Sequence, residues 1–148
     1  MESLFTGIYG RFGDTTPAHN TFYIDIGGRM YLYELPQGTV YPNATYQLVN
    51  NTNDWTFTED FDNALIQFNL YSKSNSAVEI TDAENKLRLL YDNCHLASSD
   101  LGSTWGQVYM QRDGSWLDKI PSPDSTGGGN IWRYVVEYRV MLTKGSTV

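Results

Sequence analysis

Residues 64–94 read ALIQFNLYSKSNSAVEITDAENKLRLLYDNC, and this stretch sets the fold class. Its start alternates, with Ile66, Phe68 and Leu70 on one face and Leu65, Gln67, Asn69 and Tyr71 on the other, the period of a central strand. After a Ser/Asn-rich turn the period changes. Ile80, Ala83, Leu87, Leu90, Tyr91 and Cys94 form one apolar stripe at helical spacing, while Glu79, Asp82, Glu84, Lys86 and Arg88 fall mainly elsewhere, so an amphipathic helix is predicted to pack on the sheet. Ser76 with Glu79 three residues on has the spacing of a capping box, which predicts a helix start near Ser76.

Upstream, Leu4, Phe5, Ile8, Tyr9 and Phe12 recur every three or four residues and predict a short N-terminal helix. DTTPAHN (14–20) is turn chemistry. FYIDI (22–26) and RMYLYEL (29–35), separated by Gly27-Gly28, read as a hairpin, because that dipeptide readily takes the positive φ angles of a tight turn. PQGTVYPN (36–43) is a proline-stiffened connection into the strand ATYQLVN (44–50). Downstream, WGQVYMQR (105–112) reads as a strand, as does NIWRYVVEYRVMLT (130–143), where Trp132, Tyr134, Val136, Tyr138, Val140 and Leu142 share a face opposite Arg133, Glu137 and Arg139. The stretches 54–63 and 114–130 are expected to be long loops. These elements do not alternate as a βαβ fold would. The expected fold is α+β in two layers: a mostly antiparallel sheet with the short N-terminal helix and the long amphipathic helix on one face.

The 148 residues suit a single domain spanning 1–148. A 41% hydrophobic and 18% charged composition describes a globular chain, and no apolar run approaches the length of a membrane span. The N-terminal stretch lacks the basic and apolar regions of a secretory signal. A net charge of −7 with scattered basic residues argues against gripping DNA by phosphate neutralisation, although an acidic protein can let DNA slide past without sticking. Cys94 is the sole cysteine, so no internal disulfide forms, and its place in the apolar stripe predicts a packed thiol.

The residues of catalysis are not grouped in any recognisable pattern. His19 and His95 lack ligand spacing, and neither a GxSxG elbow nor a CxxC pair occurs, so neither a metal nor a catalytic site is expected. Glu59, Asp60 and Asp62 lack the oxygen-ligand spacing and closing Glu of an EF-hand loop. Gly127-Gly128-Gly129 precedes a strand rather than a helix, so it forms no phosphate loop. The expectation is a protein without enzymatic activity or cofactor. The aromatic share, by contrast, is 14%, and Trp55, Phe57, Phe61 and Trp116 fall in the expected loops. They either fold back on their own domain or are subunit contacts, since aromatics are enriched in interface cores and open strand edges invite another chain.

GGRMYLYELPQGTVYPNATYQLV (27–49), the strand–turn–helix stretch of 64–92 and the long terminal strand YVVEYRVMLT (134–143) resemble, in order and pattern, the tail-completion (tail-terminator) proteins of long-tailed bacteriophages. The resemblance covers most of residues 1–144 and is one of layout, not of catalytic signature. It implies a homo-oligomeric ring, a hexamer in the family's usual form, on the head-proximal end of the tail tube, which ends tube growth and provides the surface for head joining. The implied partners are further copies of the chain, the tail tube protein and the head-completion or connector protein. DNA passes through the lumen without specific binding, and no membrane takes part. The implied location is the tail or neck of a virion, assembled in the bacterial host cytoplasm. Glu59, Asp60 and Asp62 are candidates for facing that lumen. A neck adaptor of the connector is the nearest alternative. An aromatic-rich carbohydrate-binding module is another, against which the 76–94 helix counts, because such modules are usually all-β sandwiches.

Overall fold

The strand at the centre of the sheet, β3 (Asp60–Ser72), is hydrogen-bonded on both sides, by β2 (Asn43–Trp55) and by β5 (Asn130–Lys144), both antiparallel to it. The computed structural model describes residues 2–17, 19–56, 59–102, 105–121 and 129–144. Outside this trio lie the long edge strand β4 (Trp105–Pro121), antiparallel to β5, and the short edge strand β1 (Met30–Leu32), parallel to β2. The sheet order is β1-β2-β3-β5-β4, so the sheet is mixed and the fold broadly α+β. Four helices accompany it among the described residues: α1 (Glu2–Phe12), α2 (Thr21–Asp25), α3 (Val78–Tyr91) and α4 (Ser98–Leu101).

The core forms where the apolar side of α3 meets the inner face of the sheet. Ile80, Ala83, Leu87, Leu90 and Tyr91 are buried with Ile66, Phe68 and Leu70 of β3 and Val136, Tyr138, Val140 and Leu142 of β5. Leu4, Ile8 and Phe12 of α1 complete it, and Trp132 and Tyr134 pack at its margin. The alternation in β3 and β5 is obeyed because each strand has one face against helices and the other against polar neighbours.

Four local expectations are corrected. FYIDI is not a strand: residues 21–25 form α2, and no hairpin joins 22–26 to 29–35. Phe22 and Ile26, four residues apart, are both buried, which one helical turn achieves and an alternating strand face would also permit. The glycines decide between the two. Gly27 and Gly28 do take positive φ, but their N–H groups return to the carbonyls of Ile24 and Tyr23, the way a helix ends. Second, residues 54–63 are not a free loop. β2 continues through Asn50–Trp55 and β3 begins at Asp60, so this segment is the tip of a long hairpin, and the poor strand formers NNTND are carried by their ladder with β3. Third, 114–121 belongs to β4 and pairs with 130–137, so of the expected 114–130 loop only 122–129 lies between strands, and 122–128, with Gly127 and Gly128, falls outside the described residues. Fourth, α3 starts at Val78 with no side-chain cap, and Cys94 lies beyond its end. Glu79 is turned away from a capping box because its carboxylate accepts a 2.7 Å hydrogen bond from Ser72 Oγ.

Candidate assembly surface

The outer face of the sheet, away from the helices, is polar and cross-linked. Gln47 donates to Gln67 at 3.0 Å, and Gln67 donates to Glu137 at 3.0 Å, a relay from β2 through β3 to β5. Asn69 is buried within it and reaches toward the Thr45 hydroxyl. Towards β4, Arg133 holds Asp118 through two hydrogen bonds, 3.0 and 2.7 Å, and the guanidinium keeps that carboxyl below its ordinary range. Arg139 pairs with Asp113 at 3.5 Å. Arg133, Glu137 and Arg139 thus lie opposite the apolar side of β5, engaged with neighbouring strands.

The aromatic residues singled out from the sequence are not gathered into one patch. Trp55 ends β2 and is 78% exposed; Trp116 sits on β4 opposite Val135, 44% exposed. Phe61 is half-buried on β3, paired across the hairpin with Asp54. Phe57 lies outside the described residues. The acidic trio is clustered at the hairpin tip: Glu59 in the turn, its carbonyl accepting from the Thr56 N–H, and Asp60 and Asp62 on β3. Asn53, Asp60, Phe61, Asp62, Trp105 and Lys144 line a hollow of about 90 Å³ there, so a lysine faces two of the three acids.

A second charged group lies between α3 and the sheet, and it corrects the expectation that Glu84 falls off the buried stripe of α3. Glu84 is 2% exposed, with Arg88 and Arg112 at 3.7 and 4.0 Å and one carboxylate oxygen without a hydrogen bond. Burial lifts its carboxyl above the ordinary glutamate range, against the pull of the two arginines. Beside it Asp92 accepts a 2.6 Å hydrogen bond from the buried Tyr138 hydroxyl, and burial together with that carboxylate raises the phenol. The readable signal was position: Glu84 stands four residues after Ile80 and three before Leu87, on the stripe itself.

Among the described residues, no three His, Cys, Asp or Glu side chains converge as metal ligands, and no helix is long and apolar enough to cross a membrane. His19 pairs with Asp14 at 3.0 Å, which holds the Asp14 carboxyl well below its usual range, and His95 is exposed beside α4. Cys94 is buried against the Met110 sulfur at 3.6 Å, and burial pushes its thiol up to about 11. What the surface presents is strand edges, a projecting hairpin and scattered exposed apolar side chains.

No family model and no curated protein matches the sequence. The fold does have a counterpart. A chain in the structure described as the virion of a native gene transfer agent particle superposes with a TM-score of 0.68, over 92% of this chain and 91% of that one. At 11% identity the likeness is one of fold.

Proposed function

We propose that the protein is a structural component of a virion and, within it, the tail terminator: a ring of identical subunits on the head-proximal end of the tail tube. The observation that carries the reading is the fold shared over nearly the full length of both chains with a component of a gene transfer agent virion. The sequence resemblance to tail-completion proteins narrows that virion role to the tail end. An exposed hairpin ending in Trp55 and an edge strand bearing Trp116 support it, since ring subunits need contacts that are unsatisfied in the lone chain. In this reading the chain performs no catalysis and holds no metal; its partners are its own copies, the tail tube and the connector.

Glu59, Asp60 and Asp62 at the hairpin tip are the proposed lumen-facing acids, where like charge keeps DNA moving past. Reversing them to Lys makes the assembled ring retain DNA more strongly at low salt than at high salt, the mark of phosphate neutralisation. The deciding experiment images particles produced without this protein. Tails of uncontrolled length support the terminator; finished tails beside empty heads replace it with a neck adaptor, and unaltered particles remove the virion reading.

A further inference from the structure

Across the sheet, Tyr31, Thr45, Asn69, Val135 and Trp116 are register partners in one row, running from the β1 edge to the β4 edge. An aromatic residue therefore closes the row at each end, on the outer face. The next row runs from Met30 through Ala44, Leu70 and Tyr134 to Leu117, and the one after from Leu32 through Tyr46, Phe68 and Val136 to Ser115. Leu32 and Leu117, 41% and 38% exposed, thus stand at opposite edges within two residues of the same height, both on the helix side.

The two edges also match in direction, and the charges of β4 do not guard it. β1 runs parallel to β2, and three antiparallel steps separate β2 from β4, so β1 and β4 run in opposite senses. A copy rotated about an axis along the strands brings its β1 antiparallel to β4 of the first. Edge strands are commonly guarded by charges that repel another strand. On β4 these charges are turned home: Arg112 toward Glu84 and Asp92, Asp113 to Arg139, Asp118 to Arg133, and Lys119 over the Trp132 ring. The edge left between Gly114 and Pro121 has no register shift.

We propose that the chain joins a second copy of itself head to tail along the sheet, the β4 edge at Trp116 and Leu117 of one copy docking on the β1 edge at Tyr31 and Leu32 of the next. Such a contact uses two different surfaces and repeats from copy to copy, and it forms a ring where the rotation it imposes closes; it rests on the ring reading above and names its interface.

The test blocks one edge at a time. Trp116→Lys with Leu117→Lys closes the β4 edge, and Leu32→Lys closes the β1 edge. Each variant alone loses the wild-type assembly in light scattering, its dissociation constant rising about 30-fold or more, the scale of a hot-spot residue. Mixed, the two form a 1:1 dimer through the one intact edge on each, which also requires both to be folded. Independently, a chain carrying Tyr31→Cys and Trp116→Cys gives a disulfide ladder on oxidation, and neither single variant does. The proposal is overturned by wild-type assembly that survives both blocks, by a dimer of Trp116→Cys alone, which indicates two-fold pairing of β4, or by a wild-type chain that stays monomeric. An assembly that persists without these edges leaves the virion reading standing, because that reading is judged on particles made without the protein.

Discussion

The hydroxyl of Tyr91, at the end of α3 and fully buried, donates a 2.8 Å hydrogen bond to the main-chain carbonyl of Ile8 in α1, 83 residues away in sequence. It ties the two helices together beneath the aromatic ring of Phe68, whose centroid lies 4.8 Å from that of Tyr91. Tyr91→Phe keeps the ring and removes the bond. The expected loss is about 0.5–1.5 kcal/mol in chemical denaturation, the net worth of one such bond. An unchanged midpoint would mean that the tie is idle.

Leu87 and Leu90 are buried under α3, whereas Leu89 between them is exposed. Leu87→Ala and Leu90→Ala are each expected to cost about 2–5 kcal/mol, and Leu89→Ala no more than about 0.5. Thermal melts of the three variants check the orientation of the helix; equal losses at all three positions contradict it.

Ser72 has no exposed surface; its hydroxyl donates to Glu79 and accepts from the Ser74 N–H. It anchors the entry to α3 from the strand side. Ser72→Ala is expected to destabilise by about 1–2 kcal/mol, the net worth of the two hydrogen bonds it removes. Ser76→Ala, at the position the sequence marked as the cap, stays within about 0.5 kcal/mol. The reverse ranking in urea titrations would restore the capping box.

Glu84 predicts a pH dependence of definite sign. Burial raises its carboxyl above the ordinary value of 4.5, so from there up to its folded-state pKa the folded chain keeps a proton that the unfolded chain has lost. Stability from this group is therefore lost as pH rises through that window. Glu84→Gln removes the dependence, and its melting temperature relative to wild type should be higher at pH 7 than at pH 4. A difference that does not vary with pH refutes the assignment.

The Cys94 thiol, buried and raised to about 11, is expected to resist alkylation at pH 8 in the folded protein and to react fully once unfolded. Rapid labelling of the native chain would show that the site opens.

The long periodic segments were legible from sequence. Ile66, Phe68, Leu70, the α3 stripe and the inner side of β5 lie where their spacing puts them, because burial on one side imposes a period that composition cannot hide. Short segments were not. Phe22 and Ile26 fit one helical turn as well as a strand, and only the hydrogen bonds of Gly27 and Gly28 separate the two. The polar end of β2 and the Gly/Ser start of β4's second half read as loops because their strand state comes from the ladder with the opposite arm of a hairpin and not from their own composition. Of the surface residues, composition marked Trp55 and Trp116 but could not show that they lie apart. Tyr31 carried no signal at all, since its place at the end of a row exists only once five strands are aligned.

The seam between β3 and β5 pairs Ser72 with Trp132 and Phe61 with Thr143, and α3 and all of β4 lie between the two strands in the chain. Each flanking hairpin can form from its own neighbourhood, but this seam closes a loop of sixty residues or more before any of its contacts repays the lost chain freedom. The closure of this seam is therefore the expected rate-limiting step: stopped-flow refolding is expected to slow when Ile66 or Val136 is weakened and to stay unchanged for changes at Trp55 or Trp116. A newly made chain cannot complete its sheet until β5 has been synthesised, and until then β3 carries an open edge beside β2.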